Sequence, residues 1–102
     1  MHLVELFLPL RDNEGAAIPR AEFDAVRDTL TEVFGGVTAF TRAPATGLWE
    51  DDGGDVRHDE MVLFEVMVEH VDHAWWRRYR EELERRLGQD EVLVRATATE
   101  RL

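Results

Sequence analysis

The chain of 102 residues has no cysteine, no lysine and no serine. The missing cysteine excludes disulfides, thiol catalysis, iron–sulfur clusters and thiolate-held zinc. The missing lysine excludes Schiff-base chemistry and a phosphate-loop lysine, and leaves all 12 bases as arginine. The missing serine leaves no Ser–His–Asp set to assemble. Long apolar runs are also absent. Met1 to Leu10 lacks a basic start, contains Glu5 and is too short for a signal peptide or a membrane span, so cytoplasm is the expected location. Basic charge is scarce as well, with 12 bases against 22 acids and a net charge of -10. Such a chain repels phosphate backbones and anionic lipid, so neither nucleic acid nor membrane is an expected partner.

What is present suits one domain with its own core, since 44% of the side chains are hydrophobic. His2 to Leu8 is rich in branched and aromatic residues and reads as a strand that stops at Pro9. Pro19 suits the first turn of a helix, and Phe23, Val26, Leu30, Val33 and Phe34 fall on one helical stripe that Gly35-Gly36 ends. Val37 to Thr41 reads as a short strand, residues 42–59 as a long loop, and Glu60 to His70 as the strongest strand. Asp72 is placed to cap a helix running to about Gly88, and Glu91 to Thr99 alternates as a last strand. This β-α-β-β-α-β order predicts an α+β, ferredoxin-like domain over residues 1–102. Its four-stranded antiparallel sheet carries both helices on one face, with the first and third strands at the centre.

Strand alternation sorts the residues by face. The helix-facing set is Val4, Leu6 and Leu8, then Val62, Phe64, Val66 and Val68, then Val92, Val94, Ala96 and Ala98. The open face receives Leu3, Glu5 and Phe7, then Met61, Leu63, Glu65, Met67 and Glu69, then Leu93, Arg95 and Thr97, with Thr38 and Phe40 beside them. An apolar face of this size calls for a cover, so a homodimer is expected, with a trimer as the other closed arrangement. Within it Glu5, Glu65 and Arg95 stand out. They read either as a polar cluster fixing the register of an interface or as a site whose carboxylates share a proton or grip a cationic or hydroxylated ligand. On the second reading Glu5 or Glu65 is the candidate general base and Arg95 orients the substrate. Thr38, Phe40, Trp49 and Met67 are the candidate ligand-binding residues around them.

The second helix offers Trp75, Trp76, Tyr79, Leu83 and Leu87 on one wide stripe, which reads as core packing, with Glu81–Arg85 and Glu82–Arg86 as expected surface pairs. The long loop carries Gly47-Leu48-Trp49, whose tryptophan is expected to plug a neighbouring subunit or lid the open face. It also carries the acidic run Glu50 to Asp55, which lacks the ligand spacing of a calcium loop. His70, Asp72 and His73 are the weak candidates for a metal; no fourth ligand is fixed, and no motif implies a cofactor.

The stretch from Phe34 to Pro44 (FGGVTAFTRAP) with Gly47-Leu48-Trp49 resembles small uncharacterised bacterial proteins that share a G-G-x-T-x-[YF]-T-R-A-P…G-x-W pattern. Leu6 to Leu10 and the Ala74-Trp75-Trp76 run fit the same resemblance, which implies a bacterial source and carries no activity. In architecture the chain is similar to the PII-like proteins, which place a long loop between their second and third strands. It is also similar to dimeric α/β-barrel enzymes and binders, which hold small apolar ligands on the open sheet face. Two functions follow as expectations. One is a non-enzymatic oligomeric module that binds a small ligand or a protein partner through the open face and the 42–59 loop. The other is a cofactor-free enzyme for a small apolar or phenolic compound.

Overall fold

The computed structural model describes residues 1–36, 38–40, 46–50 and 56–102. The elements in chain order are β1 (His2–Pro9), α1 (Arg20–Phe34), β2 (Thr38–Phe40), β3 (Thr46–Glu50), β4 (Val56–Val68), α2 (His73–Arg86) and β5 (Leu93–Ala98). The α+β class stands, but the four-stranded ferredoxin-like sheet does not. Among the described residues five strands are paired, in the order β2-β4-β1-β5, with β3 joined to β4. All the pairings are antiparallel.

The correction falls on the segment read as a loop. β3 pairs with the first part of β4 from Thr46↔Glu60 to Glu50↔Val56, so β4 runs for 13 residues rather than beginning at Glu60. Alternation reveals a strand only when one of its sides is buried in an apolar core. TGLWE and VRHDE carry glycine and charge at positions of both parities, so they give no such signal. The remainder of the expected loop, residues 42–45 and 51–55, lies outside the described residues, as do Val37 and Thr41 of the expected second strand and most of the acidic run.

The helix-covered side forms in the way alternation dictates. Val4, Leu6 and Leu8 of β1 and Val62, Phe64, Val66 and Val68 of β4 are buried, together with Val26 and Leu30 of α1 and Trp76, Tyr79 and Leu83 of α2. Val33, expected in the stripe of α1, is 47% exposed instead. An aromatic group locks the two helices together: Phe34 stacks on Trp76 at 5.1 Å between centroids and meets Trp75 edge-on at 5.0 Å. The Tyr79 phenol has its pKa raised above 10.0, chiefly by burial, with Thr29 and Arg86 acting in the opposite direction.

The termini of the helices follow their capping chemistry. Gly35 takes φ 80° at the end of α1, a left-handed conformation that only glycine adopts cheaply, and its N–H donates to the Thr31 carbonyl. Asp72 caps α2, its Oδ1 accepting from the Trp75 N–H at 3.1 Å. On the surface of α2, Arg86 reaches Glu82 at 3.7 Å and Glu22 of α1 at 2.9 Å, and Arg80 pairs with Glu84 at 2.9 Å. The expected Glu81–Arg85 pair is not among the ion pairs of the described residues.

One part of the predicted core stays open. Ala96 and Ala98 have the strand phase of Val92, yet both are exposed. Phase decides which side a residue faces, and the length and position of α2 decide whether anything covers it. Among the described residues, no helix is long and apolar enough to cross a membrane.

Candidate functional site

The open face is built in rows across the strands. Cross-strand register puts Glu65 of β4 opposite Glu5 of β1, Arg95 of β5 on the other side of Glu5, and Thr38 of β2 opposite Glu65. One polar row therefore crosses four strands in the order Thr38, Glu65, Glu5, Arg95. A row of Phe40, Leu63, Phe7 and Leu93 flanks it on one side, and a row of Met67, Leu3 and Thr97 on the other. Leu3, Phe7, Met61 and Leu63 are half-buried, while Met67 and Leu93 are 51% and 52% exposed. The polar row thus lies between two largely apolar ones on a surface that neither helix covers.

Arg95 serves Glu5. Its Nε donates to Glu5 Oε1 at 3.0 Å, and its guanidinium carbon lies 4.8 Å from the centroid of the Phe7 ring. The Glu5 side chain is 14% exposed and that of Arg95 56%, so the carboxylate is the partner that has lost its water. Glu65 is half-buried, and no ion pair to it is found among the described residues. Two carboxylates facing each other across a strand pair repel, by a fraction of a kcal/mol up to about 1. One arginine balances one of them. Among the described residues the row carries two carboxylates and one guanidinium between apolar surfaces.

The remaining sequence candidates are distributed around this row. Met67 is one row from Glu65 and receives the Thr99 hydroxyl on its sulfur at 3.5 Å, beside a shallow hollow of about 300 Å³ that Met1 and Thr99 also line. Trp49 belongs to β3, in register with Arg57, and so lies on a strand and not in the expected loop. Thr38 and Phe40 are fixed by register alone, opposite Glu65 and Leu63. Among the described residues, no three histidine, aspartate or glutamate side chains converge as a metal site. Asp72, the middle of that candidate set, has its Oδ1 engaged as the cap of α2.

One feature was not legible in the sequence. Between α2 and β5 an open groove of about 420 Å³ is lined by Arg77, Arg80 and His73 of α2 and by Val94, Arg95 and Ala96 of β5, the Arg95 side chain being turned to Glu5. In the sequence Arg77 and Arg80 belong to an ordinary charged helix surface. The available signal was their spacing from His73, at i+4 and i+7, which puts the three on one side of α2.

Comparison with known proteins is informative about fold alone. No family model matches the chain, and no curated protein matches it. Among solved structures, a phage SAM lyase in complex with S-methyl-5'-thioadenosine superposes with a TM-score of 0.59. The similarity covers 94% of this chain and 79% of that one at 12% sequence identity. The two chains share a fold. At that identity the lyase's chemistry does not transfer with it.

Proposed function

We propose that this chain is a binding module whose open sheet face takes a small organic cation, closed over by a second copy of the chain. The observation that carries the proposal is the opposed Glu5–Glu65 pair, supplied with a single arginine in the middle of an apolar face. A guanidinium or ammonium group between the two carboxylates relieves their repulsion, as Arg95 already does from the other side of Glu5. The half-buried and exposed apolar residues of the neighbouring rows favour a covering copy, because monomers rarely leave so large a patch in water. β3 prolongs the sheet along β4 and is the adjoining element through which the 42–59 segment takes part.

A thermal-shift titration tests this reading. Agmatine, a guanidinium and ammonium compound, is expected to raise the melting temperature of the native chain, because a ligand bound only by the folded state stabilises it, by about 2.7 kcal/mol at 100 times its Kd. The Glu65→Gln variant is expected to show no shift. S-methyl-5'-thioadenosine, the neutral ligand of the fold neighbour, serves as a comparison. An equal shift in both proteins contradicts the proposal.

A second reading rests on the Arg95–Glu5 bond. With Glu5 engaged at 3.0 Å, Glu65 is the carboxylate left for a general base, so a cofactor-free enzyme acting on a small apolar or phenolic compound would use it. Under that reading Glu65→Gln abolishes turnover while leaving substrate binding intact.

A further inference from the structure

Among the described residues β5 is the terminal strand of the sheet and pairs with β1 alone. The Thr99 N–H donates to the Met1 carbonyl at 3.0 Å, which sets the phase of this ladder. Antiparallel residues alternate between pairs that exchange both backbone bonds and pairs that exchange none. Counting in register from Met1 and Thr99, the bonded pairs are Leu3–Thr97, Glu5–Arg95 and Phe7–Leu93. Val94, Ala96 and Ala98 therefore turn their N–H and C=O groups outward, away from the sheet.

The side chains of these three residues point toward the helix-covered side, where Val94 is half-buried against the core and Ala96 and Ala98 are exposed. The groove of about 420 Å³ lies there, floored by Val4, Trp76, Val94 and Ala96 and bordered by Arg77 and Arg80. Arg80 is held by Glu84 and Arg95 by Glu5, while Arg77 has no ion pair among the described residues. The Arg95 guanidinium turns to the open face, so Arg77 and Arg80 are the bases of α2 beside this strand edge, and Arg77 is the one not held by a carboxylate among the described residues.

We infer that this edge and groove take an extended acidic segment of a partner protein, added to β5 as a further strand. The outward N–H and C=O groups repeat every second residue, about 6.6 Å apart, a spacing that an extended backbone matches and a small anion does not. One set of the segment's alternate side chains faces the groove, its apolar members over the floor and its acidic members beside Arg77. A second copy of this chain pairing β5 against β5 is disfavoured, because it brings the arginines of both copies to one seam.

Fluorescence polarisation with a labelled peptide of about eight residues and blocked termini, whose groove-facing alternate positions hold both valine and glutamate and whose other positions are threonine, tests this directly. Saturable binding is expected, weakened about tenfold by Arg77→Glu and diminishing with added salt. Ala96→Pro is expected to abolish it. Proline there removes an outward N–H and leaves the bonds to β1 in place, so thermal melting of the variant should remain cooperative. Should that variant fail to fold, two peptides N-methylated on alternate amides, one in each phase, replace it, and only one of them should bind. No saturable binding up to about 1 mM peptide overturns the proposal. So does equal binding of both N-methylated peptides, or of Ala96→Pro, or undiminished binding to Arg77→Glu. Displacement of the peptide by inorganic phosphate at the same concentration points instead to a small-anion groove and overturns it too.

Discussion

The two faces of this sheet are made by the same strands in the same register, yet they differ in kind. On the helix-covered face Val4, Leu6 and Leu8 of β1 and Val62, Phe64 and Val66 of β4 are all apolar and buried. On the open face the alternate residues of the same strands place Glu65 directly opposite Glu5. The covered face gains from each pairing. The open face loses at its centre, where like charges are opposed and a single arginine compensates. On the proposed reading the carboxylate pair is there for what it holds, and the stability of variants separates that role from a structural one.

Breaking the covered face should give the largest effect. Leu6 is completely buried between the two helices and the central strands, and Leu6→Ala is expected to cost about 2–5 kcal/mol of unfolding free energy, measured by urea denaturation. A carboxylate that serves the fold gives a smaller loss. Asp72→Ala removes the cap of α2 and should cost about 1 kcal/mol in the same measurement. On the open face the balance reverses. Leu93 is 52% exposed, so Leu93→Glu should change the stability of one chain by less than about 0.5 kcal/mol. The same substitution is expected to convert a dimer into a monomer in sedimentation equilibrium. A monomer for the native chain at micromolar concentration would remove the covering copy from the account.

This contrast also marks how far the sequence could be read. Alternation identified the buried sets of β1 and β4, because burying one side of a strand imprints a period of two. It likewise placed Glu5, Glu65 and Arg95 on one face. That they meet depends on which strands are neighbours, a property of the sheet and not of any single segment. β3 left no imprint, since Thr46 to Glu50 has no alternating apolar side to betray it. Ala96 and Ala98 have core phase without core burial, because phase says nothing about how far α2 extends. Arg77 and Arg80 looked like solvated helix charges, and only the neighbouring edge of β5 makes a groove of them.

The central claim is that Glu65 serves a ligand and not the fold. Urea denaturation of the native chain and of Glu65→Gln, both without ligand, separates the two roles. Removing the charge opposite Glu5 is expected to leave the unfolding free energy unchanged or to raise it by up to about 1 kcal/mol. A loss of 1 kcal/mol or more would show that Glu65 is part of a satisfied structural cluster, and would contradict the account.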